Sequence, residues 1–309
     1  MPSRAKVIFL ILLTAGLQAG YGQTNANNAG FHEVPSSFSA SVRNEWPKVI
    51  LNILVESKRL PSFPDPISEF QIQEDHSPQK VQRVDGSGAP VSLCIQIDVS
   101  RSMGSHAKEI RDAALSIVKS LPSGSEVMVV FFAEKSFLAL PFTPAAAVNL
   151  DVFDRIHFGN GTAVFDSITT TEPYFRRFAQ YSRRAIVMVT DGRDVSSKHH
   201  TSDALRSMLM PGSPFVYVLS PLATGSAGAA SFYDVLSSSR MRLVAANDEE
   251  EFLTGAAEIS RFIGSQFALT YTSTSNIQDD HLHKIEIKLT QADAHVKIES
   301  LPGFYAPVP

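Results

Sequence analysis

Between residues 91 and 264 the chain alternates short, continuously apolar runs with longer stretches whose apolar residues recur at helical spacing. Residues 91–97, 127–133, 185–189 and 215–219 read as strands, and residues 242–244 as a short fifth. Strands without a polar face must be covered on both sides. The cover comes from the segments between them. Ala107, Ile110, Ala114, Ile117 and Leu121 mark one helix, and Phe252, Ala256, Ile259 and Ile263 mark a closing one. The pattern predicts an α/β domain with a mostly parallel sheet.

The flanks have β character. Residues 49–55 read as a strand, and Pro61, Pro64 and Pro66 then break it. Phe70-Gln71-Ile72-Gln73-Glu74 alternates as a half-buried strand does. Asp85-Gly86-Ser87-Gly88 is a turn or linker. After the closing helix, residues 268–272, 284–289 and 295–299 again read as strands. A two-stranded sheet is marginal alone, whereas a larger one is viable. The expectation is an α/β domain over residues 89–265 inserted into a small β domain. That β domain joins an N-terminal β segment, 46–88, to a C-terminal one, 266–309. No internal repeat of useful length occurs.

Ahead of this, Arg4 and Lys6 precede an uncharged run over residues 7–17, and Ala19-Gly20-Tyr21-Gly22 supplies small residues for a cut after Gly22. This is the layout of a secretory signal peptide over residues 1–22, with an N-terminal anchor helix as the alternative. The run is short for a membrane span. Residues 23–45 read as a flexible leader. The expected location is secreted or periplasmic. A net charge of −4 excludes a strongly basic nucleic-acid binder. The single cysteine excludes an intramolecular disulfide framework and a Cys-based zinc cluster. Cys94 lies in an apolar run with no neighbouring base, so it reads as a buried small hydrophobe.

Three short motifs fall where an open parallel sheet places its ligands, beyond the carboxyl ends of the strands. Asp98-Val99-Ser100-Arg101-Ser102 follows the first buried strand, and Asp191-Gly192 follows the strand over 185–189. Thr162 sits in Gly159-Asn160-Gly161-Thr162-Ala163, just before a helical stretch. Asp98, Ser100 and Ser102 alternate, so in an extended loop all three side chains can point one way. Two carboxylates and three hydroxyls are hard oxygen donors of low total charge, suited to a partly hydrated Mg²⁺ or Mn²⁺.

With its Asp-x-Ser-x-Ser motif, a later Gly-Thr before a helix and a Thr-Asp-Gly after a buried strand, the chain resembles the von Willebrand factor type A domain over residues 89–265. The set is similar to that family's metal-ion-dependent adhesion site. The resemblance implies a doubly wound sheet with one antiparallel edge strand. It implies Ser100, Ser102 and Thr162 as direct or nearly direct ligands, with Asp98 and Asp191 often holding the metal through water. An open position would take an Asp or Glu of a protein partner, with no chemical step. Asn160 stands where many relatives carry Gly. The flanks, including Phe304-Tyr305-Ala306-Pro307, resemble exported bacterial proteins called VWFA-related, which adds no partner.

Several other residues receive a structural reading. Asp194 is expected to cap its loop or pair with Arg193, and Ser102 has a second reading as a cap of the helix that begins near His106. His199 and His200 read as a solvated loop before a helix. His281 and His283 alternate on one strand with no third ligand nearby in sequence. Glu249-Glu250-Glu251 suits a helix start. Arg176-Arg177 and Arg183-Arg184 read as a solvated helix face. Phe131-Phe132 reads as core.

Catalysis is not expected. An Asp nucleophile of the phosphohydrolase kind usually has a second acid two residues on, and here Ser100 stands there. Gly-x-Ser-x-Gly and Gly-x-x-x-x-Gly-Lys-Ser are both absent. The leading expectation is an exported, metal-dependent protein-binding module. Two alternatives stay open: a structural component of an envelope assembly with a vestigial metal site, and a metal-dependent hydrolase.

Overall fold

The computed structural model describes residues 32–34, 46–57, 63, 65–221, 229–239, 241–275, 281–291 and 293–306. The signal-peptide segment lies outside them. In chain order the first strands are β1 (His32–Glu33), β2 (Lys48–Ser57), β3 (Phe70–Glu74), β4 (Ser77–Gln79) and β5 (Val81–Asp85). Next come β6 (Ser92–Asp98), β7 (Glu126–Phe132), β8 (Ser136–Pro144), β9 (Arg184–Val189), β10 (Phe215–Ser220) and β11 (Arg242–Ala245). The last are β12 (Gln266–Thr272), β13 (Leu282–Leu289), β14 (Val296–Ser300) and β15 (Gly303–Tyr305). The α-helices are α1 (Pro66–Glu69), α2 (Ala107–Ser120), α3 (Val164–Phe178), α4 (Thr201–Met208), α5 (Ala230–Ser239) and α6 (Glu249–Gly264).

The apolar runs build a seven-stranded sheet in the order β1-β8-β7-β6-β9-β10-β11. β6 is parallel to both β7 and β9, and β9, β10 and β11 continue in parallel. Every residue of β6, β7, β9 and β10 is buried, as their unbroken apolar character requires. On one face Cys94, Met128, Val130 and Met188 pack with Val164 and Ile168 of α3, Met208 of α4 and Phe232 of α5. On the other, Tyr217 of β10 stacks on Phe262 of α6. From β6 the chain steps outward to β7 and β8, then crosses back to β9 on the opposite side. The reversal lies between β6 and β9, the switch point at which such sheets bind ligands.

Two strands of this sheet differ from the residue-by-residue reading. β8 runs antiparallel to β7, the orientation implied for an edge strand. It escaped the apolar pattern because it is half-exposed and carries Pro141. His32–Glu33 adds β1 outside it, and Val34 is buried. Residues 32–34 thus belong to the sheet, which corrects the flexible-leader reading there.

The flanking strands form two four-stranded sheets, β14-β2-β12-β5 and β15-β13-β3-β4. They share a core of Val49, Leu51, Ile53, Phe70, Ile72, Leu269, Ile285 and Phe304, among others. β2 pairs antiparallel with β12 and β14, joining the segments on either side of the α/β stretch. Its central residues are buried on both faces, which accounts for the unbroken run over 49–55. One face lines the shared core. On the other, Asn52 donates to Ser213 O and accepts from Arg184 N and Gln266 Nε2. Together with the seven-stranded sheet they lie in one compact unit, His32–Pro309.

Arg183 completes this seam and corrects the solvated-face reading. It is fully buried and donates to the carbonyls of Ala89, Ile263 and Gln266. Those residues lie where the chain enters and leaves the α/β stretch. Burial pulls the guanidinium down to about 10, so it stays charged at neutral pH. Arg184 is also buried and donates to Tyr181 O and Gly212 O. Arg176, beside them in the notional cluster, pairs with the buried Glu172 of its own helix.

Arg183→Met leaves these carbonyls without their donor. We expect it to lower the unfolding free energy by about 3 kcal/mol or more. This is read as a lower urea midpoint at unchanged m-value. A midpoint equal to the parent's would show that the three bonds contribute no net stability.

Candidate functional site

Asp98 ends β6 and is wholly buried. Its Oδ1 accepts the N–H of Ser100 at 2.8 Å, which folds residues 98–100 into a tight turn. Its Oδ2 accepts the hydroxyl of Thr190, just past β9, at 2.7 Å. Thr190 Oγ1 in turn accepts the N–H of Gly192 at 3.0 Å. One carboxylate therefore fixes its own loop and the start of the loop after the neighbouring strand. The register makes this possible, because Ile97 pairs with Val189 and the next residues emerge side by side.

Ser100, Ser102 and Asp191 lie beside that link, and the Thr162 loop is tied to it through its backbone. Ser100 is buried, and its hydroxyl oxygen lies 3.1 Å from that of the exposed Ser102. Ser102 lies inside a 3-10 turn, Arg101–His106, and does not cap α2. Asp191 is buried, and its Oδ1 accepts the N–H of Arg193 at 3.0 Å. Gly159 forms a parallel bridge with Ser100 and donates to Val99 O at 2.8 Å. On the other side, the carbonyl of the buried Thr162 accepts from Val195 N at 2.9 Å and Ser196 N at 3.0 Å. The Thr162 loop is thus held between the Asp98 turn and the loop after Asp191.

Two glycines are required here. Gly161 has φ +76°, and a Cβ there would stand 2.8 Å from Ser196 Oγ. Gly192 has φ +70°, and a Cβ there would stand 2.5 Å from Phe232 Cδ1. Both positions demand a left-handed backbone and a bare Cα.

Burial pushes the Asp98 carboxyl up to about 6, and the charge of Asp191 adds to the rise. The hydrogen bonds from Ser100 and Thr190 oppose it. Two carboxylates close together in a buried place raise one another's cost, which a cation relieves. The donor set is oxygen only. Adjacent ligands of an octahedral ion with bonds of about 2.1 Å stand about 3.0 Å apart. The Ser100 and Ser102 hydroxyls, hydrogen-bonded to each other at 3.1 Å, stand at that spacing without a metal and could keep it around one. The residues present fit a small, hard divalent ion.

The structurally read residues have visible partners. Asp194 Oδ2 accepts the N–H of Phe165 at 3.1 Å and so anchors the start of α3. His199 Nδ1 lies 2.8 Å from Asp166 Oδ1. His200 caps α4 with Asp203 in a capping box. Asp248 caps α6 ahead of Glu249–Glu251 by accepting Glu251 N at 2.9 Å. Phe131 and Phe132 are core. Cys94 is buried and free, and burial pushes its thiol up, which suits an inert hydrophobe.

Two features escaped sequence reasoning. Thr190 was legible only as part of a motif, yet it is the hydroxyl that joins β6 to β9 through Asp98. His283, read as lacking further ligands, lies beside Glu74 and Asp75. A signal did exist: the alternation over residues 70–74 puts an acid, Glu74, in the inward phase.

Residues 93–193 match the model of the von Willebrand factor type A domain family. No curated protein matches the chain in sequence. Among solved structures, the chain is similar to a von Willebrand factor type A protein from Catenulispora acidiphila. The identity is 11%, the TM-score 0.49, and the match covers 85% of this chain and 76% of that one. It is similar to BatB, a conserved hypothetical protein of Bacteroides thetaiotaomicron, at 18% identity and TM-score 0.44, over 56% of this chain and 98% of that one. Proximal thread matrix protein 1 of the mussel byssus, with a zinc-occupied MIDAS motif, aligns at 11% identity and TM-score 0.49. That match covers 63% of this chain and 50% of the mussel chain.

The raised Asp98 carboxyl makes a signed prediction. Its folded value of about 6 exceeds the ordinary 3.8, so ionising it opposes folding. The penalty is absent below pH 3.8, grows between 3.8 and 6 and is complete above. In chelator, Asp98→Asn should therefore be more stable than the parent by about 3 kcal/mol at pH 7.5, with a smaller gain at pH 5. Urea unfolding at the two pH values checks this. A pH-independent difference would contradict it.

Proposed function

From the match of residues 93–193 to the von Willebrand factor type A domain family, we propose that the chain is a protein-binding module that grips its partner through a divalent cation. What supports this reading is the grouping of Asp98, Ser100, Ser102 and Asp191 where β6 and β9 end, with the Asp98–Thr190 hydrogen bond across them. Ser100, Ser102 and Thr162 would hold the ion directly or nearly so, and Asp98 and Asp191 would hold it in part through water. Mg²⁺ or Mn²⁺ suits such donors. The ion supplies a positive charge at a position left for an Asp or Glu of the partner protein.

The surroundings favour binding over catalysis. Among the described residues, no histidine, lysine or cysteine is hydrogen-bonded to these five side chains. What this chain's residues do is orient: Ser100 N–H and Thr190 hold the Asp98 oxygens, and Arg193 N–H holds Asp191. The proposed location is secreted or periplasmic, and the N-terminal charge–apolar–small layout supports it. Among the described residues, no helix is long and apolar enough to cross a membrane.

Thermal unfolding with Mg²⁺, Mn²⁺ or EDTA, beside Asp98→Ala, tests the reading. At a metal concentration 100 times its Kd, the parent should gain about 2.7 kcal/mol, and the variant nothing. Acidic peptides immobilised on a surface should retain the parent in Mg²⁺ and release it in EDTA. Retention indifferent to EDTA would contradict metal-dependent binding. Turnover of a phosphoester panel that dies with Asp98→Ala would favour a hydrolase instead.

A further inference from the structure

A second group of ionisable side chains plays no part in that site. Glu74 closes β3 in its inward row, buried where Phe70 and Ile72 are apolar. The β3–β4 hairpin turns through Asp75 and His76, with φ of 48° and 66°. Ile285 of β13 is the register partner of Glu74, and His283 lies two residues before it on the same inward face, 4% exposed. His283 Nδ1 lies 2.9 Å from Asp75 Oδ2 and 3.5 Å from Glu74 Oε1.

Outer bonds aim these atoms at one another. Glu74 Oε2 accepts the Tyr271 hydroxyl at 2.7 Å, and Asp75 Oδ1 accepts Lys284 N–H at 2.8 Å. Ser273 donates to Glu74 Oε1 at 2.7 Å. The imidazole stacks on Phe304, with centroids 5.4 Å apart, and packs against Trp46. Its Nε2 is buried without a hydrogen-bond partner, so the ring's polar contacts all lie at Nδ1. The bonds to the two carboxylates are of the kind that orients ligands around a metal, whereas the imidazole holds its place by packing between Phe304 and Trp46.

Charge and spacing point the same way. Among the described residues, no lysine or arginine is ion-paired with Glu74 or Asp75. A protonated imidazole balances one of the two carboxylates, whereas a divalent ion balances both. Ligands about 2.05 Å from a tetrahedral zinc ion stand about 3.3 Å apart. The distances of 2.9 Å, a hydrogen bond whose proton zinc would displace, and 3.5 Å bracket that value, and Glu74, Asp75 and His283 each offer a ligand atom within 4.8 Å of the others. One imidazole with two carboxylates is a mixed nitrogen–oxygen set that suits zinc better than magnesium. The half-exposed Asp75 gives an ion access.

We propose that Glu74 Oε1, Asp75 Oδ2 and His283 Nδ1 form a zinc site that clips β3 to β13, and so the N-terminal flank to the C-terminal one. Three protein ligands leave one of the four zinc positions to water.

The test uses the purified full chain carrying Asp98→Ala, which separates this site from the one at the sheet ends. Zinc is titrated in competition with a chromophoric chelator, and imidazole ¹⁵N resonances are followed. One zinc equivalent should bind and shift the His283 Nδ1 resonance. Adding Asp75→Asn, at a half-exposed position, should weaken that zinc about tenfold or more. Mg²⁺ at the same concentration should leave the resonance in place. An unmoved His283 Nδ1 at one zinc equivalent overturns the proposal without relying on any variant at these three positions. Zinc affinity unchanged by Asp75→Asn in a folded protein also overturns it.

Discussion

The candidate site depends on one hydrogen bond across the switch point of the sheet, from the Thr190 hydroxyl to the buried Asp98 carboxylate. Strand register brings the two residues side by side, and burial makes the bond matter. A buried carboxylate must be held by donors, and here the donors are the loops that carry the other oxygen ligands. Removing Asp98 therefore does two things at once. It withdraws a charge that is costly when bare, and it unties the loops beyond β6 and β9. Asp98→Asn, which withdraws the charge but keeps an oxygen acceptor for the loop, should therefore raise stability in chelator while lowering metal affinity.

A second polar seam joins the sheet to its flanks. Arg183, Asn52 and Gln266 meet where β2 and β12 approach the start of β9. Gln266 Nε2 also donates to Arg184 O at 2.7 Å. Hydrogen bonds are directional, so a buried seam of this kind sets how two apolar layers meet, which apolar contact alone does not specify. The flanks consequently hold fixed the end of the sheet opposite the site. The proposed zinc clip would act within those flanks, at a distance in sequence from either end of β9, and its occupancy need not affect the cation at the sheet ends.

Much of the fold was legible because its signals are local. Buried parallel strands announce themselves as unbroken apolar runs, and β6, β7, β9 and β10 were all visible in this way. Asp98, Ser100 and Ser102 sit within five residues, and Asp191 and Thr162 each adjoin a glycine that the loop geometry requires. What stayed hidden depends on distant partners. β8 is half-exposed and interrupted by Pro141, so neither alternation nor an apolar run marks it. Arg183 displays only its charge in sequence, while its acceptors lie 80 or more residues away in either direction. His283 and Asp75 are 208 residues apart. Only the inward phase of Glu74 hinted that an acid was to be buried there.

The central claim is that the oxygen donors beyond β6 and β9 hold a divalent ion. Anomalous diffraction from crystals of the protein grown with Mn²⁺, collected at the manganese edge, tests it most directly. The account predicts an anomalous peak within about 2.3 Å of the Ser100 and Ser102 hydroxyl oxygens, and its loss in Asp98→Ala. A map with no peak there, or with manganese only beside Glu74, Asp75 and His283, would contradict it.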